Sequence, residues 1–121
     1  MKNLKINTKI SDIKYDDNKI NIYFFWGDGC PYCDVELEFF ESLDEKYFDL
    51  FTLNSFEVWY NQGNAKLLSD LANKMEQDVN VVPYTIVGDY SFIGFEKGYE
   101  TAILDIIKKH HENSYDIYFD K

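Results

Sequence analysis

The sequence predicts one α/β domain, with a mixed central sheet flanked by helices on both faces. The run Ile20–Trp26 is almost entirely apolar, as in a strand that is covered on both faces. From Pro31 onward the apolar residues recur at helical spacing instead. Beyond that helix the pattern continues as strand, helix, strand, strand and helix. A length of 121 residues fits a single domain, whose core we expect at about residues 20–110.

Strand pairing follows from the connections. The first two core strands are joined by a helix, so they should be parallel with a right-handed crossover. Two later strands flank Gly88 and Asp89, a plausible two-residue hairpin turn, and should be antiparallel. Alternating polarity in Leu4–Ile10 predicts a strand-like N-terminal extension, and similar alternation predicts a short strand in the tail, residues 114–121.

The three helices are predicted from their apolar stripes. Asn61 or Asn64 should cap the second helix, where Met75 reads as a core filler. The first helix should bury Cys33, Leu37, Phe40, Leu43 and Tyr47 and expose Asp34, Glu38, Glu41 and Glu45. The third should carry Ile103, Ile106, Ile107 and His110 on one stripe, with Lys108 and Lys109 in its last turn.

Charge excludes some classes of function. The net charge is −10, from 22 acidic residues and 12 basic ones, all of them lysine. Such a chain lacks the basic face that nucleic acids or anionic membranes require. No segment approaches the roughly 20 apolar residues that span a bilayer, and the N-terminus does not read as a signal peptide. We expect a cytoplasmic monomer as written, or an extracytoplasmic protein whose leader or anchor has been removed.

The two cysteines, Cys30 and Cys33, suggest redox chemistry. A domain with a core of this size needs no disulfide to fold, and a disulfide that closes so short a loop would add little stability. Pro31 suits the first position inside a helix, which makes Cys30 the N-cap. Unpaired backbone N–H groups and the helix dipole there favour its thiolate. Cys30 is therefore the candidate nucleophile, and Cys33, on the buried stripe, is suited to resolve a mixed disulfide.

Zinc binding is the first alternative for this pair. Cys30 and Cys33 would supply two ligands, and His110 and His111 two more. Zinc-binding pairs usually lie on a knuckle or hairpin, however, and not on a helix that begins with proline. We therefore expect neither a metal nor a cofactor.

These motifs together resemble the thioredoxin superfamily, and in particular bacterial thioredoxin-like proteins. A strand precedes the Cys30-Pro31-Tyr32-Cys33 motif, and Val82-Pro83 precedes a hairpin and a closing helix. The resemblance implies the thioredoxin fold, a cis Pro83 beside the sulfurs, and backbone groups of Val82 that pair with an extended substrate. It also implies a protein disulfide or dithiol as substrate and a separate redox partner that recycles the protein.

Subfamily motifs match only in part. Cys-Pro-Tyr-Cys is the glutaredoxin motif, but Val81 and Phe95 replace residues typical of glutaredoxins, and an acidic Gly-Asp-Gly precedes Cys30. Trp26 stands four positions before Cys30, and Phe24 takes the place of the buried acid of thioredoxins.

Several side chains around the motif are candidate supporting residues. Glu57, near the end of the second strand, is a candidate proton acceptor for Cys33, or simply a surface glutamate. Tyr32 and Tyr84 should form an apolar contact surface beside Cys30, whereas Trp59 and Tyr60 should serve as packing or loop anchors.

The predicted function is that of a thiol–disulfide oxidoreductase acting on protein disulfides. One alternative is a glutathione-dependent reductase of the glutaredoxin type. The other is a redox-sensing or binding module that has the same fold and does not turn over substrate.

Overall fold

The computed structural model describes residues 7–113 and 115–121. Four strands and three helices make up its core, and two short 3-10 helices lie at Ile10–Asp12 and Glu45–Asp49. The core elements in chain order are β1 (Ile20–Trp26), α1 (Pro31–Ser42), β2 (Phe51–Glu57), α2 (Gln62–Lys74), β3 (Tyr84–Val87), β4 (Tyr90–Ile93) and α3 (Tyr99–His110).

The sheet has the strand order β2-β1-β3-β4. β1 pairs with β2 in parallel and with β3 in antiparallel, and Gly88 and Asp89 connect β3 to β4 as a hairpin. The predicted mixed α/β sheet is thus confirmed. Because β1 and β2 run in parallel, Trp26 and Glu57 are register partners at the same edge of the sheet, the edge from which the chain enters α1.

Two hydrophobic clusters lie on opposite faces of the sheet. On one face, α1 and α3 bury Phe40 and Ile103 against Ile22 and Phe24 of β1. On the other face, α2 packs against Tyr23 and Phe25 of β1 and against Tyr84 and Ile86 of β3. A strand covered on both faces has no polar side, so the nearly uninterrupted apolar run of β1 reflects its central position.

The helix starts follow local chemistry. Pro31 occupies the first turn of α1, with Cys30 as its N-cap. Asn61 caps α2, its side-chain oxygen accepting a 2.9 Å hydrogen bond from the backbone N–H of Asn64.

Two predicted strands outside the core are wrong where the structure describes them. Within Leu4–Ile10, residues 4–6 lie outside the described residues, and residues 7–10 form no strand. Thr8 nevertheless donates its backbone N–H to the carbonyl of Ser55 on β2 at 2.7 Å. In the tail, residues 117–120 form a turn, because the carboxylate of Asp116 accepts the backbone N–H groups of Tyr118 and Phe119. Ser114 lies outside the described residues.

The apolar stripe predicted for a single helix is divided between two elements. α1 ends at Ser42, Leu43 follows as its C-cap, and Tyr47 belongs to the 3-10 helix Glu45–Asp49. Leu37 is only partly buried. The acidic side is exposed as predicted, but a further acidic residue of α1, Glu36, is fully buried.

Candidate active site

Cys30 and Cys33 form a disulfide at the N-terminus of α1, with 5.3 Å between their Cα atoms. The backbone N–H of Cys33 donates a 3.2 Å hydrogen bond to Sγ of Cys30. This sulfur therefore satisfies one of the free donors at the helix start, where developing negative charge is also favoured by the dipole. Both residues are nearly covered, and Cys30 is the more exposed, at 5% against 2% for Cys33.

The Gly-Asp-Gly segment before Cys30 forms a tight turn. The backbone N–H of Cys30 donates a 3.0 Å hydrogen bond to the carbonyl of Gly27, and Gly29 has a positive φ of 101°. Glycine suits that conformation, because other residues rarely adopt it. A Cβ atom on Gly27 would lie 2.2 Å from the ring of Trp59, so the indole packs directly on this glycine. The lack of a side chain at Gly27 therefore leaves the space that the indole of Trp59 occupies.

Glu57 anchors the same turn from the neighbouring strand. Its Oε2 accepts hydrogen bonds of 3.0 Å from the backbone N–H groups of Asp28 and Trp59, and its Oε1 accepts one of 2.9 Å from Tyr60. Burial acts to raise the pKa of Glu57, but these backbone donors outweigh it and hold the pKa below its usual value. The bonds join the end of β2 to the lead-in of Cys30, and they occupy both oxygens of the carboxylate.

The Val82–Pro83 peptide bond is cis. The carbonyl oxygen of Val82 lies 4.0 Å from Sγ of Cys30, so this turn borders the disulfide. Beside it runs a shallow groove that is open to solvent. Its lining consists of Tyr32, Val82, Pro83, Gly94, Phe95, Glu96 and Lys97.

The aromatic residues predicted near the site are distributed differently. Tyr32 is 66% exposed beside the disulfide, as expected for a contact surface. Tyr84 is fully buried on the opposite face, where its hydroxyl donates to Gln77 at 2.7 Å, so the prediction that it forms part of that surface is wrong. The alternation of β3 turns Tyr84 away from α1. Trp59 is a loop anchor as predicted, whereas Tyr60 is 80% exposed, and Trp26 packs at the margin of the core on the α1 face.

A second buried carboxyl group, which was not singled out from the sequence, lies on the same helix as Cys33. Glu36 is one turn after Cys33 on α1, and its Oε2 accepts a 2.5 Å hydrogen bond from the hydroxyl of Thr85 on β3. Burial raises its pKa to about 8, although the hydrogen bond from Thr85 acts in the opposite direction. The sequence did indicate this position, because Glu36 follows Cys33 by three residues and residues so spaced lie on the same face of a helix.

The described residues contain no group of three or more His, Cys, Asp or Glu side chains placed to hold a metal ion. His110, which the zinc alternative required beside the cysteines, instead packs its ring 6.0 Å from that of Tyr90. Within residues 7–113 and 115–121, no helix has both the length and the apolar character needed to cross a bilayer.

The sheet order, the helices on both faces and the disulfide at the start of α1 define a thioredoxin-like fold with a CXXC pair. The protein is similar to a solution structure described as that of an uncharacterized thioredoxin-like protein from Clostridium perfringens. The two share 21% sequence identity over 84% of this chain and 82% of the other, with a TM-score of 0.54. No family model matches the sequence, and a search of curated proteins finds no significant match.

Proposed function

We propose that this protein is a thiol–disulfide oxidoreductase that exchanges disulfides with protein substrates, with Cys30 as the attacking residue and Cys33 as the resolving one. The observation that carries the proposal is the position of Sγ of Cys30, which accepts the backbone N–H of Cys33 at the start of α1. A thiolate at that position gains the same donor and the positive end of the helix dipole.

The exchange proceeds in two steps that balance in atoms and electrons. In the reduced protein, the thiolate of Cys30 attacks one sulfur of a substrate disulfide, forms a mixed disulfide and releases the other substrate sulfur as a thiolate. The thiolate of Cys33 then attacks Sγ of Cys30, closes the Cys30–Cys33 disulfide and releases the second substrate thiolate. The substrate is reduced by two electrons and the protein is oxidised by two. The reverse sequence oxidises a substrate dithiol.

The surface around the disulfide supports a protein substrate. Tyr32 is exposed on one side of the groove, and the backbone carbonyl of Val82 lies beside Sγ of Cys30. An extended peptide lying across this turn would bring a cystine sulfur to Cys30 while its backbone met Val82. Aromatic surface of this kind is common where proteins dock.

The test is catalytic turnover of a model protein disulfide by the wild type and by two serine variants. Cys30→Ser should abolish exchange, because no attacking sulfur remains. Cys33→Ser should attack once and stop as a mixed disulfide, visible as an added mass that a reductant removes. Full activity in Cys30→Ser would overturn the assignment.

The same experiment separates the alternative functions. A redox-sensing module would oxidise and reduce its own disulfide but would not turn over added substrate. A glutathione-dependent enzyme would turn over only when glutathione is supplied, and Cys33→Ser would then carry glutathione on Cys30. Turnover with a dithiol reductant alone, and a protein adduct on Cys30, are the results we expect.

A further inference from the structure

The turn between β1 and Cys30 presents a single side chain, and that side chain is a carboxylate. Asp28 lies between Gly27 and Gly29 and is exposed. Its backbone N–H donates to Oε2 of Glu57 at 3.0 Å, so a contact that does not use its own carboxylate fixes its position. Two residues of chain span at most about 7 Å, so Asp28 is a near neighbour of Cys30.

A negative charge at this place opposes the chemistry proposed for Cys30. A nearby carboxylate disfavours the thiolate, which is the form that attacks a disulfide. A second exposed acid, Asp34, directly follows Cys33, but it suits the first turn of α1, where the helix dipole favours acidic residues. Asp28 lies outside the helix, two residues before the N-cap, so its charge calls for another explanation.

The other charged groups around the disulfide do not reverse this sign. The groove beside the disulfide is lined by one acid and one base, Glu96 and Lys97, whose charges cancel. Glu57, behind the turn, is held as a carboxylate by its three backbone donors. With Asp28 and Asp34, the described residues around the disulfide carry a negative balance. A partner with positive charge beside its disulfide is the complement of such a surface.

A second cleft, on the side of the Gly-Asp-Gly turn, offers room for such a charge. It has a volume of about 840 Å³ and is open to solvent. Its charged lining among the described residues consists of two acids, Asp28 and Glu57, and one base, Lys9. Tyr60 also lines this cleft and is largely exposed, and aromatic faces attract cationic groups. A lysine or arginine beside a substrate cystine would meet a carboxylate and an aromatic ring here.

We propose that Asp28, supported by Asp34, selects disulfide substrates that carry positive charge, and that the protein substrates have lysine or arginine beside the reacting cystine. Anionic disulfides are disfavoured, glutathione disulfide among them, because it carries a net negative charge. The exchange itself is the one described above, and the two aspartates act only on which substrate approaches Cys30. The inference rests on the proposed function and names its substrate class.

The test compares three small disulfides of similar size, which carry two amines, two hydroxyls or two carboxylates. Reduced protein is mixed with each, and its oxidation is followed by acid quenching and mass measurement. Each rate is divided by the rate of mercaptoethanol with the same disulfide, because that thiolate is also anionic and corrects for the reactivity of the reagent. We expect the normalised rate of the diamine to exceed that of the dicarboxylate at least about tenfold at low ionic strength, and the preference to disappear in about 1 M salt.

Variants of Asp28 decide whether the turn is responsible. Asp28→Asn keeps the side-chain shape and the backbone N–H that Glu57 accepts, and should reduce the preference at least about threefold. Asp28→Lys should reduce it further. Glu41→Gln removes one charge from the exposed far end of α1 and is the matched control, which should keep the wild-type preference. A preference that Asp28→Asn leaves unchanged, or equal normalised rates in the wild type, would overturn the proposal.

A binding measurement separates this inference from the proposed function. If the reduced protein exchanges none of the three disulfides, the proposed function fails, and binding to the oxidised protein decides the inference by itself. Two cysteine-free peptides, identical except for lysine or glutamate on both sides of a central tyrosine, are titrated against wild type and Asp28→Asn by calorimetry. In the disulfide form neither cysteine carries a charge, so binding reports the surface alone. Tighter binding of the lysine peptide by at least about fivefold, weakened in Asp28→Asn, would support the inference. Equal affinities, or no binding of either peptide, would overturn it.

Discussion

The hydroxyl of Thr85 donates a 2.5 Å hydrogen bond to Oε2 of Glu36, and so ties β3 to the buried face of α1 beneath the disulfide. This contact joins residues that are 49 positions apart in the chain. It also fixes a carboxyl group in a place where charge is disfavoured, and this has a measurable consequence for stability.

We predict that the oxidised protein loses stability as pH rises, through Glu36. The ordinary pKa of a glutamate is 4.5, and burial raises the pKa of Glu36 to about 8 in the folded protein, so between these values the folded state binds one more proton than the unfolded state. The contribution is fully present below the unfolded pKa and is lost towards the folded pKa, by about 1.4 kcal/mol per pH unit.

Urea unfolding at several pH values measures this effect as the difference between the wild type and Glu36→Gln. The difference should change steadily across that window and flatten outside it. Glu38→Gln is the matched control, because Glu38 is exposed on the same helix. If wild type and Glu36→Gln show parallel profiles, Glu36 does not titrate as the structure implies.

Glu57→Ala should destabilise the protein by removing a buried acceptor. Three backbone N–H groups, from Asp28, Trp59 and Tyr60, would lose their partner at once. We expect a loss of at least about 2 kcal/mol in the free energy of unfolding. Glu41→Ala changes an exposed glutamate of α1 and should have little effect; equal losses in the two variants would contradict the role given to Glu57.

Gly27→Ala should displace Trp59 from the turn before Cys30. The added Cβ would lie 2.2 Å from the indole, and half of that side chain is already exposed and able to move. In a Trp26→Phe background, Trp59 fluorescence should become easier to quench with a small soluble quencher. Stability should fall by about 1 kcal/mol.

Gly63→Ala is the matched control for that variant. The new Cβ would contact only the side chain of Asn61, at 3.4 Å, and alanine is the better residue inside α2. Its stability should be equal to or above that of the wild type. Unaltered quenching in Gly27→Ala would show that Trp59 does not pack on this turn in solution.

Tyr23→Phe should weaken the attachment of the C-terminal turn to the sheet. The Tyr23 hydroxyl donates to Oδ1 of Asp116 at 2.7 Å, and Asn21 donates to Oδ2 of the same buried carboxyl at 2.6 Å. Burial and the nearby Asp116 raise the pKa of Tyr23 well above its usual value, so the phenol remains a donor at all working pH values.

Removing this hydroxyl should cost about 1.5–3 kcal/mol, the range for a hydrogen bond to a charged group. Tyr115→Phe removes a hydroxyl that donates to Asp120 on the exposed surface, and should cost less than about 0.5 kcal/mol. Both values come from urea unfolding at neutral pH. If the Tyr23→Phe protein is as stable as Tyr115→Phe, the hydrogen bond from Tyr23 to Asp116 does not stabilise the attachment of the C-terminal turn to the sheet.

Much of the core was predictable because it follows from neighbours in the chain. The run Ile20–Trp26, Pro31 at the start of α1 and the Gly88-Asp89 turn each carry their own local signal, and each forms the predicted element. The outer segments were not predictable in this way. Asp116 turns the tail back by accepting Tyr118 and Phe119, so an alternating sequence forms a turn where a strand was expected.

The sequence alone determined where the sulfurs are, because proline and helical spacing fix the start of α1 and place Cys30 at its N-cap. Only the tertiary structure decided which carboxyl group lies beneath them. β1 brings β2 to one side and β3 to the other, so Glu57 meets backbone donors at the turn while Glu36 meets Thr85 in the core. The burial and the hydrogen-bond partners of each carboxyl group depend on which distant strands become neighbours in the sheet. The spacing of a charged residue along the chain does not reveal those neighbours.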